Sequence, residues 1–192
     1  MANPLLASDA NGEWFEIFNT SANAIDINGI TISDNGSNSH LIDHGSSLFI
    51  HPGNYLVLGR NGDSAVNGGY FADYVYNNFT LGNTNDQIIL TRDDIQLVRL
   101  DYSGTPFGVA GVSAELFIQT INPTASDYQL TQNNSYGLGD LGTPGAEGSL
   151  NLTNVNPVPL PGALSLFASA LLILGRKGIF FKRTSVQQSL SS

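Results

Sequence analysis

The chain has no cysteine, no lysine before Lys177 and a single tryptophan, Trp14. Without cysteine there is no disulfide framework, no thiolate metal ligand and no thiol chemistry. Before Gly175 the cations are Arg60, Arg92 and Arg99, set against all 16 acidic residues of the chain. A body of that sign repels phosphate, which excludes nucleic acid as a partner. Also missing are a Gly-x-Ser-x-Gly elbow, a Gly-rich loop opening into a helix, and any long window of helical period in the body. No catalytic residues are indicated, and the expectation is that the chain is not an enzyme.

What is present is turn chemistry between short apolar runs. Asn28-Gly29, Asn35-Gly36, Pro52-Gly53, Asn61-Gly62 and Asn67-Gly68-Gly69 are turn signals, because Asn and Gly accept positive φ and Pro presets a turn. Between them lie strand-like runs: Trp14 to Phe18, Ile25 to Ile32, Leu48 to Ile50, Tyr55 to Leu58, Tyr74 to Tyr76, Ile88 to Thr91, Leu97 to Tyr102 and Glu115 to Ile118. Many short strands joined by turns predict an all-β antiparallel sandwich or barrel. Tyr55 to Leu58 and Ile88 to Leu90 lack polar alternation, as central strands covered on both sides do. In Ile25, Ile27, Ile30 and Ile32 the alternation slips by one at Asn28-Gly29, where a bulge or turn would return both halves to the core. Trp14, Glu16 and Phe18 share one strand face, so Glu16 is the carboxylate expected to be partly buried and to need hydrogen-bond donors.

Two constellations suggest ions. His40 and His44 flank Asp43, with His51 nearby, but a four-residue spacing gathers ligands on a helix and Asn35 to Ser47 reads as Gly-, Ser- and Asn-rich loop. Asp9, Asn11 and Glu13 offer alternating oxygens that a calcium ion could use, although no EF-hand pattern accompanies them. The expectation is no metal and no other cofactor, with calcium on Asp9, Asn11 and Glu13 as the weighed alternative.

The C-terminal end is of another character. Pro157, Val158, Pro159, Leu160 and Pro161 lead into an apolar run from Leu160 to Gly175, followed by Arg176, Lys177, Lys182 and Arg183. As a helix this run spans about 24 Å against a hydrocarbon core of roughly 30 Å. Ile179 to Phe181 would lengthen it if Arg176 and Lys177 snorkel. The basic end would face the cytoplasm and the acidic body would lie across the membrane, which requires export. The alternative reading of the run is a buried core helix.

Residues 12 to 19, Gly-Glu-Trp-Phe-Glu-Ile-Phe-Asn, resemble the opening signature of the lamin tail domain, with Glu13, Trp14, Glu16 and Asn19 as its structural motif. Residues 25–34, 50–58 and 79–90 follow in the family's order, and Gly142-Thr143-Pro144-Gly145 resembles its closing motif. The resemblance implies an immunoglobulin-like antiparallel β-sandwich over residues 10–147, with long insertions at 61–78 and 109–134. It implies no catalytic residue. Val158, Pro159, Leu160, Pro161 and Gly162, the apolar run and the basic cluster resemble the PEP-CTERM sorting signal of Gram-negative bacteria, in its Val-Pro-Leu-Pro variant. That resemblance implies delivery to the inner membrane and processing by an exosortase.

The expected organisation is a partial N-terminal strand or surface segment (1–9), the sandwich (10–147), a linker (148–157), the Pro motif with apolar helix and basic cluster (158–183), and a polar tail (184–192). Met1-Ala2-Asn3-Pro4 is similar to the end of a strand that precedes the Glu-Trp motif in bacterial relatives. The expectation is therefore that Met1 is internal, with a first strand and a signal peptide upstream. The function expected is an exported, non-catalytic module of the cell surface or extracellular (biofilm) matrix, with the membrane, an exosortase-type enzyme and a polysaccharide or protein ligand as partners. The alternative is an accessory domain of a larger secreted enzyme such as a surface nuclease.

Overall fold

The computed structural model describes residues 1–117 and 123–149, all within one unit of the chain, Met1–Pro157. The apolar run, its Pro motif and the basic cluster lie outside the described residues. Among the described residues no helix is long and apolar enough to cross a membrane.

The domain is all-β and sandwich-like. One helical turn, α1 (Asp9–Gly12), precedes β1 (Trp14–Phe18), β2 (Ile25–Asp26), β3 (Thr31–Ser33), β4 (Ser39–Leu41), β5 (Phe49–Ile50), β6 (Tyr55–Gly59), β7 (Tyr74–Val75), β8 (Asn85–Arg92), β9 (Ile95–Ser103), β10 (Ala114–Leu116) and β11 (Tyr128–Leu130). A three-stranded sheet runs β1-β6-β7 and a four-stranded sheet runs β4-β3-β8-β9, with two-stranded ribbons β2-β5 and β10-β11.

The slip at Asn28-Gly29 is a turn. Gly29 has φ of +83°, and the Asp26 carboxylate accepts the Asn28 and Leu48 N–H groups at 3.0 and 2.9 Å. Ile27, Ile30 and Ile32 are buried, whereas Ile25, expected inside, is exposed on the two-stranded ribbon. Two further expectations are corrected. Residues 39–41 form β4 rather than loop, pairing His40 with Ile32. β7 runs parallel to β6, not antiparallel, because the long segment after Gly59 returns the chain in the same direction.

The inner core lies between the two larger sheets and includes Ile32, Leu56, Leu58, Tyr76, Phe79 and Leu90. Full burial of each such side chain contributes about 1.5–3 kcal/mol. Phe15 and Ile17 pack on this core from β1, while Trp14 on the opposite face joins Met1, Val57 and Tyr70 in a second cluster. Residues 134–149 cover that outer face. Glycine is required where this cover touches the sandwich: a Cβ on Gly69 would lie 2.4 Å from Gly137 Cα, and Leu138 N–H bonds Gly68 C=O at 3.0 Å.

Candidate functional site

The residues singled out in the sequence are gathered on and around β1. Trp14 exchanges both backbone hydrogen bonds with Met1, and Arg60 N–H donates to Glu13 C=O on the other edge. Strand geometry then sends Glu13, Phe15 and Ile17 to one face and Trp14, Glu16 and Phe18 to the other.

Glu13 is 2 % exposed. Its Oε2 accepts the Leu81 N–H at 3.1 Å and lies 3.5 Å from the Arg60 guanidinium. Arg60 also donates to Phe79 C=O at 2.6 Å, so one ion pair ties β1 and the end of β6 to the 79–81 segment. Burial pushes the Glu13 carboxyl up to about 7, against the pull of Leu81 N–H and Arg60. Trp14 donates from its indole N–H to Tyr136 OH at 3.1 Å, with the rings edge to face.

Glu16 is half-buried, and its Oε2 accepts the Gly145 N–H at 2.8 Å. Burial pushes its carboxyl up to about 7. Asn19 is 1 % exposed; its amide donates to Asn23 and Ile50 carbonyls, each at 2.8 Å, and its carbonyl accepts from Ser21 N–H and Oγ–H. Asn19 thereby pins the loop between β1 and β2 to the end of β5.

The weighed calcium oxygens turn to separate partners. Asp9 accepts from the Asn83 amide at 2.9 Å, Asn11 from the Asn61 amide at 3.0 Å, and Glu13 faces Leu81 and Arg60. His40 bonds Tyr74 OH at 2.9 Å, while His44 meets Ser46 at 3.2 Å. Among the described residues no group of three acidic or histidine side chains is placed to hold a metal ion.

Three buried carboxyl-bearing residues stand out structurally beside Glu16, the one carboxylate expected from strand alternation to be partly buried. Besides Glu13, these are Asp140, 3 % exposed, accepting the Leu5 and Leu6 N–H groups at 3.0 and 3.3 Å, and Glu115, 8 % exposed, accepting Ser149 N–H at 2.8 Å. Alternation within one strand could not reveal them, because their backbone N–H donors are 34 to 135 residues away. Gly148 and Ser149, the first residues of the expected linker, lie against Glu115; the rest of the linker is outside the described residues, as are Val158, Pro159, Leu160, Pro161, Gly162, Arg176, Lys177, Lys182 and Arg183.

The family model of the Lamin Tail Domain matches residues 4–105. The match begins earlier than the expected residue 10 and ends before β10, so the covering segment 134–149 lies beyond it. Neither the curated proteins nor the solved structures contain a match to this chain. The matched span is more than half of the 192 residues, and it carries the Glu13, Trp14, Glu16 and Asn19 constellation: the chain belongs to the lamin tail domain family.

Proposed function

We propose that this chain is a non-catalytic binding or structural module, exported and delivered to the cell surface or extracellular matrix by its C-terminal segment. The observation that carries the reading is how the domain uses its buried ionisable groups. Glu13, Glu16, Glu115 and Asp140 each accept a backbone N–H from a distant segment, which makes them structural fasteners. A carboxylate so engaged stabilises a fold by satisfying orphan donors. The acidic surface suits a solvated extracellular module, and no cofactor is invoked.

Delivery rests on the sequence from Val158 to Arg183. In this reading Leu160 to Gly175 enters the inner membrane of a Gram-negative bacterium, Arg176, Lys177, Lys182 and Arg183 stop it on the cytoplasmic side, and an exosortase-type enzyme acts near Val158 to Gly162. A surface polysaccharide or protein is the ligand. The test is fractionation of cells expressing the full-length protein, with any in-frame upstream coding sequence, beside a version ending at Asn156. The expected result is a membrane-bound full-length form released shortened only when an exosortase is present. Both forms remaining in the cytoplasm would overturn delivery.

A further inference from the structure

In an Asn-Gly pair the backbone can attack its own side chain, because glycine has no Cβ to keep its nitrogen from the asparagine Cγ. The chain has five such pairs, opened by Asn11, Asn28, Asn35, Asn61 and Asn67. Four are held by their surroundings. Gly12 N–H and Gly29 N–H donate to backbone carbonyls, those of Ser8 at 2.7 Å and Ile42 at 2.8 Å. Asn61 is tied at both ends of its amide, donating to Asn11 at 3.0 Å and accepting Asp63 N–H at 2.8 Å. Asn67 is fully buried, and its amide donates to the Asn61 and Tyr70 carbonyls.

Asn35 lies in the turn between β3 and β4, exposed together with Gly36 and Ser37. Its Oδ1 accepts from the Arg99 guanidinium of β9 at 3.1 Å. A guanidinium only donates, so the amide oxygen faces Arg99 and the amide nitrogen is turned from it. Arg99 is itself oriented by Asp101, which it meets through Nε and Nη2 at 2.7 and 2.6 Å, leaving Nη1 for Asn35. Gly36 N–H donates to Asp34 Oδ1 at 2.7 Å, and the other Asp34 oxygen is held by the Asn38 amide at 2.7 Å. A proton acceptor on the attacking nitrogen and a cation on the attacked carbonyl's oxygen thus flank the bond to be made. We propose that Asn35 is a self-modification site, at which the Gly36 nitrogen displaces the side-chain amide and leaves a carboxylate beside Arg99.

As the Gly36 nitrogen bonds to Asn35 Cγ, its proton passes to Asp34 and the negative charge gathers on Oδ1 against Arg99. The tetrahedral centre then collapses: the Cγ–Nδ2 bond breaks, Nδ2 takes the proton back from Asp34, and ammonia leaves a cyclic succinimide. Water opens that ring on either side. Attack at Cγ breaks the new bond and gives aspartate, while attack at the Asn35 main-chain carbonyl breaks the old peptide bond and gives isoaspartate. Either product adds a negative charge that Arg99 can pair. Isoaspartate also routes the main chain through the side chain, lengthening the turn and slackening the pairing of Ser33 with Ser39.

The full-length protein, kept at neutral pH in heavy-oxygen water and followed by peptide mapping with mass spectrometry, tests this. Heavy oxygen should enter position 35, as aspartate and isoaspartate, at least about tenfold faster than it enters at Asn11, Asn28, Asn61 or Asn67. Asp34→Asn still offers an oxygen to the Gly36 N–H but takes up no proton, and Arg99→Met keeps an apolar stem without the donor. Each should slow conversion of Asn35 by about tenfold, with circular dichroism reporting that the variant is folded. Labelling of the five sites at equal rates, or an Asn35 rate that either substitution leaves unchanged in a folded protein, would overturn the proposal.

Discussion

The inner core and the outer cover of this domain solve the burial problem in different ways. The inner core is chiefly aliphatic, with Ile32, Leu58 and Leu90 each supplied by its own strand. The outer cover draws Met1, Trp14, Val57, Tyr70 and Tyr136 from distant segments and holds them with directional polar bonds. Trp14 bonds Tyr136 OH at 3.1 Å and Tyr70 OH bonds Glu13 C=O at 3.0 Å. A core made by non-directional burial tolerates change in detail if volume is kept. A cover made by aromatic edges, close glycine backbones and carboxylate clips depends on geometry, and it should fail locally before the domain fails as a whole.

The largest effect should come from the inner core. Phe79 is fully buried and packs against Phe15 and Tyr76, so Phe79→Ala should destabilise by about 3–5 kcal/mol. Urea denaturation followed by circular dichroism should show it, with the whole domain unfolding in one earlier transition. A loss below about 1 kcal/mol would mean that the core repacks freely at this site.

A smaller but differently shaped loss is expected at the cover. Gly69 has φ of +94° and its added Cβ would press on Gly137, so Gly69→Ala should cost about 2 kcal/mol or more. Because Trp14 is the only tryptophan, its fluorescence reports the outer cluster alone. Acrylamide quenching in the variant should rise at urea concentrations where circular dichroism is still native. Coincident transitions would show instead that cover and core unfold as one.

The third expectation is a pH dependence. Burial raises the Glu13 carboxyl from 4.5 to about 7, so between these values the folded chain holds more protons than the unfolded one. That contribution to stability is complete below about pH 4.5 and is lost as pH climbs through about 7. The Met1 ammonium, pushed down to about 5 by burial, acts in the opposite sense; comparing wild type with Glu13→Gln separates the two. The Glu13 contribution lost between about pH 5 and about pH 8, on the order of 2 kcal/mol, should appear as the difference between the pH dependences of wild type and Glu13→Gln. An unchanged slope would assign the dependence to other groups.

The smallest effect concerns Tyr76, whose hydroxyl is buried in the inner core without a hydrogen-bond partner among the described residues. Tyr76→Phe removes that unsatisfied group and should leave stability unchanged or raise it by up to about 1 kcal/mol. A clear loss in calorimetric Tm would reveal a partner for the hydroxyl.

Strand positions were largely legible from local chemistry. β1 and β6 follow from Trp14 to Phe18 and Tyr55 to Leu58 because apolar alternation and unbroken apolar runs encode strand faces directly. The turn at Asn28-Gly29 was legible for the same local reason. β4 was not, since Ser39-His40-Leu41 has no strand pattern and pairs only because β3 presents Thr31 to Ser33 beside it. Glu16 was legible as a carboxylate on a mixed apolar face; Glu13, at the strand's entrance, was legible as part of the family motif but not as a buried carboxylate, because its partners Arg60 and Leu81 come from distant segments.

By itself the sequence determined what each segment can do locally: which residues extend, which turn, and that the body is acidic, lysine-free and without thiols. Tertiary structure decided which distant groups meet. The parallel arrival of β7, the cover of residues 134–149 and the docking of Glu16 on Gly145 depend on contacts across long loops, where closure costs depend only weakly on length and leave no local trace in composition.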